Sequence, residues 1–471
     1  MKKALALTLV LLLLTVSAFA CAARDINSQQ EQLIYTESIL YGDPAAAQGI
    51  EVKASSTYRN QLFWDSVHSL DGAGTKTNFS FSEFAIQEKP SYTPEISLGT
   101  DYNITAYFSN NFSPHTGNPL DKAYQELIAE TPDGGEGKKT VLLKDYYDYY
   151  PLSISITFPD YNLTLSPDTQ HSYPPDSDKK LLYEAFESFI KIPVLPNETA
   201  ELFADKDEYG QVRSLGLNTT EGGYYKPSHS AASADGFYFT VSNRSGSGEL
   251  LDTSQIPGGY GIYFLSCDLS HEPGHFHIDG LSIAYPLSPE AETIDISTDL
   301  RKNELLLVTA EDSRAYLSVI DLADMSLKQK LEICQIIPTQ DYNYTAADFY
   351  ENFIVLYAND TFSVVSPDPQ GNYELNYTAP RHPEGFDTSA LSHPNQLAFD
   401  GERLCAVSIL NFVSNDLYLN YTGFLVSIYD HTGLTYCAAY SSSLDAENKL
   451  SGLVQPCNFY GDAPLEIRFR P

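Results

Sequence analysis

Two short stretches carry side chains whose types and spacing could do chemistry. His271-Glu272-Pro273-Gly274-His275 has the spacing of a zinc-protease pair of histidines with a glutamate base, and His277 adds a third imidazole. That chemistry needs both histidines on one turn of helix, and Pro273-Gly274 breaks a helix there. What remains for His271, His275 and His277 is a non-helical divalent-metal site, with Asp268 or Asp279 as an acidic ligand. Asp205-Lys206-Asp207-Glu208-Tyr209-Gly210 opens like a calcium loop. Gly216 stands where the bidentate glutamate belongs, so the stretch is expected to be a charged hairpin turn.

A second kind of site is aromatic. Trp64 with Asp65, and Tyr146 with Tyr147 inside Asp145-Tyr146-Tyr147-Asp148-Tyr149-Tyr150, put flat rings beside carboxylates. Such pairs suit a sugar or a peptide, because the ring covers C–H faces while the acid accepts hydroxyl or amide protons. No nucleophile elbow, phosphate-binding loop or dinucleotide glycine motif occurs, and no pair of acids for glycoside hydrolysis can be chosen from 62 carboxylates without geometry.

The chain begins like an exported protein. Lys2 and Lys3 precede an apolar run, Ala4 to Val16, too short for a permanent membrane span, and small residues stand before Cys21. Ala18-Phe19-Ala20-Cys21 resembles the lipobox of bacterial lipoproteins. The resemblance implies cleavage before Cys21 and acylation of that residue, hence membrane attachment through a lipid anchor on the extracytoplasmic face of a bacterial envelope. Two or three acyl chains hold durably, since each buried CH2 contributes about 0.8 kcal/mol. Ala18-x-Ala20 also satisfies the ordinary signal peptidase, and simple secretion is the alternative. Residues 1–20 are then a signal peptide and 21–31 the anchor cysteine with its polar tether.

Composition excludes some partners. Lys and Arg total 28 against 62 Asp and Glu, a net charge of -34, so phosphate backbones and anionic lipid headgroups are repelled and nucleic-acid binding is not expected. The 34 Tyr and 24 Phe against two Met and one Trp favour strands. Beyond Cys21 the cysteines, Cys267, Cys334, Cys405, Cys437 and Cys457, are scattered without C-x-x-C spacing, and buried thiols are the expected state.

Strand runs with a polar stop recur through the C-terminal half: Tyr263 to Asp268, Leu317 to Asp321, Phe362 to Ser366 and Leu425 to Asp430. Each follows another apolar run, with turn residues such as Asn359-Asp360 between, and each is part of a three- or four-stranded meander. Meanders of this size cannot bury both faces alone. Val319-Ile320-Asp321-Leu322 with Met325-Ser326-Leu327, and Ser427-Ile428-Tyr429-Asp430 with Thr432-Gly433-Leu434, are similar to the third-strand, turn and fourth-strand segment of WD-repeat-like and quinoprotein-like β-propellers. The resemblance implies an all-β fold, a β-propeller of about seven four-stranded blades over residues 32–471.

Helical and loop insertions interrupt the N-terminal half, where Leu181, Leu182, Ala185, Phe186, Phe189 and Ile190 have helical spacing and Pro193 ends the run. Tyr102 to Phe108, Thr140 to Lys144 and Leu152 to Phe158 are expected to be strands of a second blade. The alternative is a separate β-rich domain over 32–225 followed by a partial propeller over 226–471. If a ring closes, Leu33 to Leu40 should pair with the last blade, beside Leu465 to Phe469. The expected role is non-catalytic, a membrane-anchored scaffold binding an envelope protein, a peptide or a glycan, with no cofactor beyond the metal considered above. A polysaccharide hydrolase or lyase with acids in the channel is the alternative.

Overall fold

The computed structural model describes residues 2–30, 35–58, 62–71, 74–80, 94–102, 119–158, 162–166, 178–219, 229–245, 248–267, 278–336, 345–383, 394, 396–409, 413–414, 417–418, 424–442, 454–456 and 465–470. The fold is all-β, built from small antiparallel sheets with few helices. It divides into two compact units: residues 1–91, 360–364 and 376–471, and residues 92–359 and 365–375. The first helix, α1 (Lys2–Gln30), runs through Cys21 and on through the polar residues expected to be a tether. No described helix is long and apolar enough to cross a membrane.

In chain order the strands begin with β1 (Tyr35–Gly42), β2 (Ile50–Tyr58), β3 (Leu62–Ser69) and β4 (Gly74–Ser80). There follow β5 (Glu95–Thr100), α2 (Asp121–Glu130), β6 (Glu136–Leu142), β7 (Leu152–Thr157), β8 (Asn162–Leu165), α3 (Asp178–Phe189), β9 (Thr199–Lys206) and β10 (Val212–Thr219). Three four-stranded meanders come next. They are β11 (Ser230–Ser233) to β14 (Ile278–Pro286) through β12 (Gly236–Thr240) and β13 (Gly261–Cys267); β15 (Glu292–Asp299), β16 (Glu304–Glu311), β17 (Arg314–Asp321) and β18 (Leu327–Gln335); and β19 (Ala346–Phe349), β20 (Ile354–Ala358), β21 (Thr361–Pro367) and β22 (Tyr373–Pro380). The chain continues with β23 (Gln396–Phe399), β24 (Leu404–Ile409), the two-residue strands β25 (Val413–Ser414) and β26 (Leu417–Tyr418), β27 (Phe424–Asp430), β28 (Gly433–Ser442), β29 (Val454–Pro456) and β30 (Leu465–Phe469).

The meanders have the strand order of propeller blades, and their packing explains the sequence pattern. In β16, odd residues Leu305 and Leu307 join Ile262 and Ile320 in one cluster, while even residues Leu306 and Val308 join Leu317, Ile354 and Leu356 in another. A strand alternates its side chains between two faces, so both faces of this sheet are packed within the unit and β16 reads as a continuous apolar run. Successive sheets thereby cover one another face to face, which is how blades solve the burial problem. Two-residue turns fit the tight corners: Asn359 and Asp360 have φ of 49° and 58°, the left-handed pair of a type I′ hairpin.

In the first unit both ends of the strand series are exchanged. β1 pairs antiparallel with β28, closing a sheet ordered β1-β28-β27-β24-β23, as expected for the N-terminal strand. β30 lies elsewhere, against β2, in the sheet that holds β3 and β4. A core of Ile50, Val52, Ala54, Phe424, Val426, Ile428 and Tyr436 lies between these sheets. Gly42 is required at the end of β1: its φ is 78°, and a Cβ there would sit 1.9 Å from the Thr435 carbonyl oxygen.

The second-blade expectation needs correction. Thr140 belongs to β6, which pairs with β9, whereas Leu152 to Thr157 form β7 between β5 and β8. A 3-10 turn, Leu143–Asp145, with its buried Leu143 turns the chain between them and assigns the two runs to different sheets. Helix α3 matches its apolar spacing at Leu182 and Phe186, which are buried beside Tyr183, but Leu181 is exposed. Phe186 and Phe189 pack on Phe239 and Tyr263.

Candidate functional site

The aromatic run 145–150 lies where the 3-10 turn ends and β7 has not begun. Asp145, Asp148 and Tyr149 are exposed, Tyr146 and Tyr147 half-buried, and Tyr150 buried. The Tyr149 ring is 38% exposed and carries the Lys191 ammonium 5.6 Å from its centre. Backbone contacts fix the run: Tyr149 bridges Pro193, and the Tyr150 N–H donates to the Ile192 carbonyl at 3.0 Å. Lys144 donates to the Asp148 carbonyl at 2.9 Å.

Beneath this ledge is a carboxylate that sequence inspection missed. Glu198 is 1% exposed and accepts hydrogen bonds from the Tyr150 and Tyr102 hydroxyls, the latter at 3.5 Å. The Tyr147 hydroxyl donates to the Tyr102 carbonyl at 3.4 Å, and the two rings meet edge to face at 5.6 Å. Burial, and then the Glu198 charge, push the Tyr102 hydroxyl well above the usual phenol range, so it remains a donor at all ordinary pH. Buried charges persist where hydrogen bonds offset desolvation, which these hydroxyls do. One acid 48 residues from Tyr150 has no local signal, so only the tyrosine-rich composition hinted at it.

Trp64 lies in β3, in register with Ser56 and Phe79. Asp65, its neighbour, forms an ion pair with Lys53 at 3.4 Å. His271, His275 and His277 lie outside the described residues, as does Asp268. Among the described residues no group of three His, Cys, Asp or Glu is gathered to hold a metal. The Asp205–Gly210 stretch is the expected hairpin turn between β9 and β10, with the Asp207 carboxylate accepting from the Tyr209 and Gln211 N–H groups at 2.9 and 2.8 Å. None of Cys21, Cys267, Cys334, Cys405 and Cys437 is joined in a disulfide.

Two further clusters hold titratable groups. In the second unit, His229 Nδ1 lies 3.1 Å from Asp295 Oδ1, and both side chains are about three-tenths exposed or slightly less. They stand at the first strands of adjacent meanders, β11 and β15. In the first unit, the Tyr436 and Tyr440 hydroxyls both donate to Glu37 Oε1, the second at 3.1 Å. Nearby, His68 is buried edge-on against Phe424 at 4.8 Å, with its Nε2 2.9 Å from the Ser66 hydroxyl. Burial pulls its pKa down to about 4, so it is neutral at pH 7. The Ser66–His68 pair resembles a nucleophile and base, but both are sealed in the core.

No protein-family model matches the chain, and no curated protein matches it. Solved structures similar to it include the periplasmic gluconolactonase PpgL of Pseudomonas aeruginosa, at 9% identity over 90% of this chain and 99% of that one, with a TM-score of 0.29. A putative 6-phosphogluconolactonase from Bacteroides uniformis aligns at 10% identity over 89% and 100%, TM-score 0.27. The β-propeller domain of Myceliophteria thermophila Cps50 (Swd1) aligns at 12% over 53% and 82%, TM-score 0.22. At such values the alignments decide nothing about what this chain does.

Proposed function

We propose that the protein is an extracytoplasmic, lipid-anchored binding protein of the bacterial envelope, non-catalytic, which holds a glycan on the Tyr146–Tyr149 ledge. A peptide or folded protein is the competing occupant. One observation carries this reading: exposed Tyr149 stands beside exposed Asp145 and Asp148 on a backbone held by its bridge to Pro193 and by the buried Tyr150 hydroxyl on Glu198. A backbone already held in place loses little conformational entropy when a ligand arrives, so more of the contact energy appears as affinity. Sugars fit the chemistry, with C–H faces for the ring and hydroxyls for the carboxylates.

The His229–Asp295 pair supports a second reading, the polysaccharide hydrolase, because a partly exposed imidazole oriented by a carboxylate is a usable general base. Binding to an array of envelope glycans separates the two. The intact protein should retain a glycan without cleaving it, and Tyr149→Ala should weaken retention about tenfold with an unchanged melting temperature, a loss of roughly 1.4 kcal/mol. Product release abolished by His229→Ala would establish the hydrolase instead, and equal retention by Tyr149→Ala would remove the ledge from the account.

A further inference from the structure

The outer strand of the β1-β28-β27-β24-β23 sheet exposes three successive large apolar side chains. In β1, the residues Ile39, Leu40 and Tyr41 are 51%, 46% and 38% exposed. The register explains one of them: Ile39 opposes Ala438 and Tyr41 opposes Cys437, so Leu40 is an inserted residue with no partner across the ladder. A bulge of this kind bends its strand and re-aims a side chain, here an apolar one. Natural sheets usually blunt such an edge with charge or proline. The only charged side chain of β1, Glu37, is instead drawn to the Tyr436 and Tyr440 hydroxyls.

We propose that Ile39, Leu40 and Tyr41 dock the first unit on the lipid surface, seated in the interfacial layer of the bilayer. The occupant follows from chain continuity. β1 begins at Tyr35, and only residues 22–34 separate it from Cys21, the residue read above as the acylated anchor. The proposal rests on that reading for its geometry. Thirteen residues reach at most about 45 Å when fully extended, and far less where α1 is helical, so the strand is held close to the bilayer. Two aliphatic side chains and a tyrosine suit the interfacial layer, where an apolar body and a wet hydroxyl are both accommodated. β1 carries no lysine or arginine, so docking needs no anionic lipid.

The test uses the full-length anchored protein in phosphatidylcholine vesicles, with a nitroxide at Leu40→Cys and, separately, at Ile39→Cys. A control nitroxide at Glu402→Cys sits in the exposed turn before β24, at the far edge of the same sheet. The spectrum of the labelled parent is subtracted throughout. Collision with oxygen relative to a water-soluble nickel complex should be at least about threefold higher at 39 and 40 than at 402, unchanged by salt. A ratio at 40 equal to that at 402 overturns the proposal, and so does dipolar broadening between labels at 40, which would mark β1 pairing with a second copy. Acylation is read independently on Cys21. A labelled Cys21 with an aqueous site 40 refutes docking alone, and an unlabelled Cys21 with site 40 in lipid refutes the anchor alone.

Discussion

Tyr150 donates its hydroxyl to Glu198 where both are buried, joining the base of the 145–150 ledge to the residue just before β9. Tyr150→Phe removes one donor from a buried carboxylate and leaves the ring volume in place. The expected loss is about 1–3 kcal/mol, larger than for a neutral hydrogen bond because the acceptor is charged. Urea unfolding measures it, and an unchanged midpoint would mean that Glu198 is satisfied without Tyr150.

His68 gives the protein an acid-sensitive point. Its pKa falls from 6.5 in the unfolded chain to about 4 when folded, so the unfolded state binds more protons between those values. Stability from this group is fully present above pH 6.5 and declines as pH drops toward 4, a span on the order of 3 kcal/mol. The variant His68→Leu should flatten that part of the curve. Denaturant midpoints taken at pH 7, 5.5 and 4.5 in both proteins decide the matter, and parallel curves would place the acid sensitivity elsewhere.

Gly42 controls the docking of β1. Gly42→Ala introduces a Cβ at 1.9 Å from a carbonyl oxygen with φ at 78°, so β1 must shift or leave its ladder. We expect a loss above about 2 kcal/mol and faster proteolysis within residues 35–43. Limited proteolysis with mass identification of the first cut reports this directly, and wild-type cutting kinetics would show that the strand adapts.

Metabolic labelling with a palmitate analogue should mark the wild type and leave Cys21→Ser unmarked. Equal labelling of the two would rule out Cys21 as the acceptor.

The blades were legible because β16, β17 and β20 are buried on both faces and bounded by turn residues, so Leu305 to Val308 and Ile354 to Ala358 stand out as apolar runs. Tyr35 to Gly42 was also readable as a closing strand, since an unpaired edge is costly. The 136–165 segment was not readable. Its runs resemble those of a blade, and the partners that separate them, β9 and β5, lie far off in sequence or behind a turn. The ledge was visible as tyrosines and aspartates, but the partners of Tyr150 and Tyr147 are Glu198 and Tyr102, which local pattern cannot connect. The Asp65 carboxylate, which looked like half of a sugar platform, is engaged by Lys53 from the neighbouring strand.

The exchange of β1 and β30 also fixes when the first unit can be completed. β1 must wait for residues 433–442, and β2 receives β30 only after residue 465 has emerged. Synthesis proceeds from the other end, so these two sheets cannot close on a partly made chain, and such long-range pairing is slow in any case. The first unit therefore stays incomplete at both of these ladders until almost all of the chain has been made, and locks only then.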